Sequence, residues 1–273
     1  MSNPTPLQIE AILAELGEVG RLLHQMGAAE GSAGNLSVGV KEALEVRQLF
    51  SIEEQIQLPE PVPDLAGMMF IASGSGCRLR DLEAHPTANL GCLVVEGGGM
   101  TARLFSAKDR AITRLTSEFN SHLMVHNAHM AGGTLKFHAI LHAQPIHITY
   151  LSHIERYQEE TYFNTHLFRW EPETIFQFPQ GFGVCKYHVP GSRELQEATV
   201  NALRDHTIAI WCKHGVMTRS EMSMRQAFDR IDYAETAARY EYLNLTLGEA
   251  ASGLSVKEIL EICAYYNISQ NVF

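Results

Sequence analysis

The residues best suited to chemistry lie in three short stretches far apart in the chain: Ile140-Leu141-His142-Ala143-Gln144-Pro145, Lys213-His214-Gly215-Val216 and Thr116-Ser117-Glu118. Read as a strand, the first puts His142 and Gln144 on one face, roughly 6–7 Å apart, so both can address one ion. His138 shares that face but sits ~13 Å away at strand spacing, too far to share a metal directly. His147 lies beyond Pro145, where the alternation of faces no longer applies. His214 follows the apolar run Ile208-Ala209-Ile210-Trp211 and precedes Gly215, a strand-end position suited to facing a cleft. Imidazoles suit zinc, whereas an amide oxygen such as that of Gln144 suits harder cations, so an altered metal preference is open. Glu118 is the candidate acid–base, although a glutamate in a first helical turn also serves the helix dipole. Two glycine-serine turns, Ser32–Asn35 and Ser73–Gly76, can cradle a phosphate with backbone N–H groups and hydroxyls, or serve as ordinary turns. Neither has the spacing of a Walker or dinucleotide-binding loop.

These residues need a scaffold. Apolar positions from Leu7 to Met26 recur at helical spacing, which predicts a helix over 7–27 with Gly27 as its stop. A glycine-rich turn then enters a short strand at Leu36-Ser37-Val38. Residues 41–67 are ambiguous, and Pro59, Pro61 and Pro63 make their end a loop. Met68–Ala72 reads as a strand, and Leu90–Val95 and Met100–Phe105 as a hairpin around Glu96-Gly97-Gly98-Gly99. Ser117 is placed to cap a helix over 118–126. Residues 137–143 read as a strand, and 145–153 as a helix with Pro145 in its first turn. Thr207–Cys212 reads as a buried strand, and Ser223–Leu247 and Val256–Tyr266 as helices. No linker or repeat divides the chain. One three-layer α/β/α domain spanning 1–273 is expected.

Composition narrows the function. The chain has 273 residues, 45% hydrophobic and 19% charged, which provides a core and argues against disorder. Its net charge of −10 argues against nonspecific nucleic-acid or anionic-membrane binding, without excluding an anionic substrate. The five cysteines are odd in number and lack paired spacing, which fits a reducing, cytoplasmic setting. No signal peptide and no membrane span are expected. The thirteen histidines raise the prospect of a metal site without locating it.

Taken in order, the motifs resemble the class II aldolase and adducin-head superfamily, and within it the rhamnulose-1-phosphate aldolase branch. The resemblance runs from about residue 8 to 268. It rests on Gly34-Asn35-Leu36-Ser37, Ser73-Gly74-Ser75-Gly76 with Arg80-Asp81-Leu82, Thr116-Ser117-Glu118 and the strand around His142. Phe178-Pro179-Gln180-Gly181, Val189-Pro190-Gly191-Ser192, Trp211–Val216 and Gln226–Asp232 complete it. The resemblance implies a mainly antiparallel sheet between helices, and reversible cleavage of a ketose 1-phosphate to dihydroxyacetone phosphate and an aldehyde. It implies a zinc ion on three histidines, two of which match His142 and His214 while the third falls on Gln144. It gives Glu118 the acid–base role and puts Ser32, Asn35, Ser73, Gly74, Ser75 and Ser117 at or beside phosphate-cradling positions. It also implies a homotetramer whose subunits lend residues to neighbouring sites, with Arg169–Glu173 the segment to inspect. A sugar-phosphate epimerase or lyase, or a non-catalytic oligomeric module, uses the same scaffold.

Overall fold

The computed structural model describes residues 8–273, so Leu7 of the expected first helix lies outside the described residues. Helix α1 (Ile9–Met26) stops at Gly27, whose left-handed backbone lets its N–H bond the carbonyl of His24. Its apolar side buries Ile9, Ile12, Leu13, Leu16, Val19 and Leu23, each burial stabilising by roughly 1.5–3 kcal/mol. The chain then lays down β1 (Asn35–Val40), β2 (Ile52–Gln57), β3 (Met69–Ser73), a one-turn α2 (Pro86–Asn89), and the hairpin β4 (Leu90–Val95) and β5 (Thr101–Ser106). Helix α3 (Phe119–Met130) leads into β6 (Phe137–Ala143), followed by α4 (Ile146–Leu151), α5 (Glu160–Leu167), α6 (Pro172–Gln177) and β7 (Gly183–Cys185). Helix α7 (Arg193–Asp205), the hairpin β8 (Ile208–Trp211) and β9 (Gly215–Ser220), α8 (Met224–Thr246) and α9 (Val256–Tyr266) complete the fold.

The strands form one sheet in the order β2-β5-β4-β3-β1-β6-β9-β8-β7. Every neighbouring pair is antiparallel except β7 with β8. Helix α8 packs against both α1 and α4 on one face, and α3 with α7 covers the other. The three-layer architecture expected from the sequence is therefore the one observed. Side chains alternate across the central strands. Leu36 and Val38 of β1 and Ala139, Leu141 and Ala143 of β6 enter the core beneath α1 and α8, while Ile140 packs with Val125 of α3 on the opposite face. Asn35, Ser37, His138 and His142 follow the parity of Ile140, so a polar row runs along the α3 side of the sheet.

Several expectations need correction. Helix α3 begins at Phe119, with Glu118 rather than Ser117 in the capping position, and no side chain caps it. The reason is that the Glu118 carboxylate is engaged across the sheet instead. Pro145 precedes α4 rather than sitting in its first turn. The ambiguous stretch 41–67 contains edge strand β2, and 154–206 contains α5, α6, β7 and α7, none of which was foreseen. Strand β9, also without a sequence signal, pairs with β6 and β8. By contrast, Ser223 caps α8 by accepting the Gln226 N–H at 3.0 Å, and Ser255 and Glu258 form a capping box on α9.

Candidate active site and metal centre

Three distant segments meet at the end of β6. His142 is its penultimate residue, Glu118 enters from the start of α3, and His214 comes from the β8–β9 turn. The two Glu118 oxygens divide between the rings: Oε2 lies 3.6 Å from His142 Nε2, and Oε1 lies 3.6 Å from His214 Nε2. One ligating atom from each of the three residues falls within 4.8 Å of the others. In a tetrahedral zinc site with bonds of about 2.0–2.1 Å, neighbouring ligand atoms stand roughly 3.4 Å apart. The two Glu118–imidazole separations are close to that, and they are too long for hydrogen bonds.

The local backbone explains how each ring is aimed. His142 Nδ1 donates to the Val216 carbonyl on β9 at 2.8 Å, which aims Nε2 at the cavity. Trp211 supports both rings, with centroids 4.6 Å from His142 and 5.1 Å from His214. The turn presenting His214 passes through Lys213 at φ +65°, a left-handed conformation costing a non-glycine residue roughly 1–2 kcal/mol. The Lys213 N–H is bonded by Ser152 Oγ at 2.8 Å, which helps hold the turn in place. Gly215 follows because a Cβ there would stand 2.4 Å from the Ala143 carbonyl.

The electrostatics suit a cation. Burial would raise the Glu118 carboxyl, but His142, the Asn35 amide at 2.8 Å and His214 outweigh it, and the group stays ionised with a lowered pKa. Burial, reinforced by repulsion from His142, lowers His214 to about 4, so its ring is neutral and able to bind a metal near pH 7. A carboxylate and a neutral imidazole, with the His142 ring beside them, form a donor set that fits a divalent ion.

A cavity of about 230 Å³ opens over this cluster, lined by Ser32, Gly34, Asn35, Gly74, Ser75, Ser117, Glu118, His142, Gln144 and His214, together with Ala33, Gly76, Thr116 and Pro190. Gln144 therefore faces the same space as the three candidate ligands, just past the end of β6, with its own N–H held by the Ala28 carbonyl at 2.8 Å. Of the residues expected from the sequence, Ser73 alone is not part of this lining. Its hydroxyl accepts the Leu36 N–H at 3.1 Å and ties β3 to β1. Gly34 has φ +80°, and a Cβ on it would lie 3.0 Å from the His142 carbonyl, so the first turn needs a glycine. His138 is buried beneath α3, beside His126 and His129, and His147 bonds Glu235 at 2.7 Å. Neither joins the cluster, in keeping with the strand spacing.

Sequence reasoning missed His122, whose Nε2 lies 2.6 Å from Asn35 Oδ1 and so holds the amide that holds Glu118. The available signal was the four-residue step from Glu118 to His122, which puts both on one side of a helix.

Fold and site together define a class. The chain belongs to the class II aldolase and adducin N-terminal domain family, whose model matches residues 14–242. It is an aldolase, a carbon–carbon lyase, by that membership and by its relatives. The rhamnulose-1-phosphate aldolase of Bacteroides thetaiotaomicron is 30% identical over 256 residues, 93% of each chain. The crystal structure of a sugar-phosphate aldolase from Thermotoga maritima superposes with a TM-score of 0.75 at 27% identity, covering 90% of this chain and 99% of the other. An L-fuculose-1-phosphate aldolase from Thermus thermophilus shares the fold, with a TM-score of 0.55 at 18% identity, covering 89% of this chain and all of the other.

Proposed function

We propose that this aldolase reversibly cleaves a ketose 1-phosphate of the rhamnulose type to dihydroxyacetone phosphate and an aldehyde, using a divalent cation for which zinc is the first choice. One observation carries the reading. Glu118, His142 and His214 converge at the floor of a cavity whose walls are the two glycine-serine turns. His142 and His214 hold the cation, and the Gln144 amide oxygen is the third ligand in place of an imidazole. The cation supplies Lewis acidity toward the substrate carbonyl and stabilises the negative charge that develops as the carbon–carbon bond breaks. Ser32, Asn35, Ser75 and Ser117, with the backbone at Gly74, receive the phosphate, so its binding energy orients the reacting carbon. Ser73 supports that cradle from behind by fixing β1 to β3. In condensation the ionised Glu118 removes the proton from the carbon beside the carbonyl, and in cleavage it returns to the charged carbon the proton that the substrate's hydroxyl gives up as the aldehyde forms.

The same proposal includes a cytoplasmic homo-oligomer, a tetramer by resemblance, in which the Arg169–Glu173 segment serves a neighbouring site. Burial, with Glu173 and Asp232 nearby, raises the Glu171 carboxyl to about 7, a range suited to proton donation. The five cysteines are free thiols, in keeping with a reducing compartment. Among the described residues no helix is long and apolar enough to cross a membrane.

The test is metal analysis of the purified protein together with a coupled assay for dihydroxyacetone phosphate. Expected are stoichiometric divalent metal and turnover of rhamnulose 1-phosphate that chelation abolishes. A protein that takes up no divalent metal and leaves every ketose 1-phosphate intact would end this reading.

A further inference from the structure

Behind Glu118, side chains of which the chemistry above uses only Asn35 form a continuous line into the protein. On α3, Glu118, His122 and His126 recur every four residues, an advance of roughly 6 Å per step. On β1, Asn35, Ser37 and Gly39 recur every two, roughly 6.6 Å per step. The two rows therefore stay in step, and His138, opposite Gly39 on β6, closes the far end. Asn35 Nδ2 reaches Glu118 Oε2 at 2.8 Å, and His122 Nε2 reaches Asn35 Oδ1 at 2.6 Å. Ser37 Oγ lies 2.7 Å from His122 Nδ1 and 2.8 Å from His126 Nε2, and His138 Nδ1 lies 2.9 Å from His126 Nδ1.

The donors follow by elimination. A carboxylate only accepts, so the Asn35 amide donates to it. The amide oxygen only accepts, so His122 carries its proton on Nε2, and its bare Nδ1 accepts from the Ser37 hydroxyl. With that proton used, Ser37 accepts from His126 Nε2–H. The bare Nδ1 of His126 then accepts from His138 Nδ1–H. His138 Nε2 is left bare, and it has no partner among the described residues. Neutral rings are what burial requires: His122 is lowered to about 3, and His126 and His138 well below the ordinary histidine value.

We propose that Asn35, His122, Ser37, His126 and His138 form a one-way chain of neutral hydrogen bonds, every donor aimed toward Glu118, that fixes and polarises the catalytic carboxylate. These are positioning residues, and their role rests on the acid–base reading of Glu118. Aligned bonds of this kind strengthen one another in a low-dielectric interior. The chain is not a proton wire, because the Asn35 amide cannot pass a proton on without becoming an imidic acid.

The test combines spectroscopy with kinetics on the full-length protein. With nitrogen-15 histidine, assigned through single His→Gln variants, the imidazole spectrum at pH 7 is expected to show Nε2–H tautomers for His122 and His126 and Nδ1–H for His138, all neutral. Glu118→Gln weakens the terminal acceptor, so the His122 N–H signal should move upfield and that of His126 should follow by less. His126→Leu should lower kcat by roughly 10-fold or more while KM stays within about twofold. His126→Gln, which keeps an N–H toward Ser37, should recover most of that loss. A His126 Nδ1–H tautomer, a charged ring among the three, a His122 signal indifferent to Glu118→Gln, or an unchanged kcat in His126→Leu would each overturn the proposal. If the wild type cleaves no ketose 1-phosphate, the aldolase reading fails, while the tautomers and the response to Glu118→Gln still decide the chain. The wild-type and Glu118→Gln spectra also decide it should His126→Leu fail to fold.

Discussion

Mild acid should destabilise this protein, because three imidazoles are kept neutral inside it. His122, His126 and His138 are each essentially inaccessible to water. In the unfolded chain each titrates near 6.5. In the folded protein His122 is lowered to about 3, and His126 and His138 also lie well below their unfolded value. The unfolded state therefore binds more protons throughout the intervening window. Stability is complete above the unfolded value and drains away as the pH falls toward the folded ones. Between pH 7.5 and 5.5 each ring costs roughly 1.4 kcal/mol, or roughly 4 kcal/mol for the three, against the ~5–15 kcal/mol of a typical domain. His214, lowered to about 4, adds in the same direction, and Glu171, raised to about 7, offsets part of the loss because its folded form takes up a proton in this window. The assay is urea unfolding at a series of pH values and fixed protomer concentration, followed by the fluorescence of Trp170 and Trp211 and by far-ultraviolet circular dichroism. A stability loss under about 1 kcal/mol over that interval would refute the neutral-core argument, since the three rings together should exceed it even with Glu171 set against them.

Other perturbations read different parts of the structure. Gln144→His should tighten zinc by on the order of tenfold or more, about 1.4 kcal/mol, measured by competition with a chromogenic chelator. Gly34→Ala forces a side chain into φ +80°, with its Cβ 3.0 Å from the His142 carbonyl. It should cost roughly 1–2 kcal/mol in thermal unfolding and raise KM for the phosphorylated substrate. Glu241, fully buried, accepts from Tyr157 and, at 2.7 Å, from both Arg169 and Trp170. Glu241→Gln should cost roughly 3 kcal/mol in chemical denaturation by stripping Arg169 of its charge partner.

The three side chains at the centre of the site each carry a local signal, but what pairs them in the sequence is the family's ordered set of motifs, since any one signal also fits an ordinary structural residue. His142 lies on an apolar strand, His214 at a strand end before glycine, and Glu118 at a helix start. What remained hidden has physical causes. Strand β2 is an edge strand whose exposed Glu53, Glu54 and Gln55 guard it against pairing, and the same polarity erases its strand signature. Helices α5 and α6 are single short pieces of eight and six residues, too short for a helical period to stand out. Helix α3 buries Phe119, Leu123 and Val125 as well as His122 and His126, so apolar and polar residues do not separate into two faces. Its histidine row becomes visible only beside the matching row on β1. Ser117 looked like a cap because hydroxyls usually are; here it opens onto the cavity instead.

The bond from the His142 ring to the Val216 carbonyl couples two properties that are usually independent. The orientation of a candidate metal-binding nitrogen is keyed to strand alignment, in which His142 lies opposite Met217 and Ala143 opposite Val216. Slipping β9 by one residue would turn its side chains to the other face and take that carbonyl away from the ring. Length variation among descendants of this gene should therefore collect in outlying loops such as Glu96–Gly99. The few residues between Trp211 and Val216 can be exchanged but not counted differently.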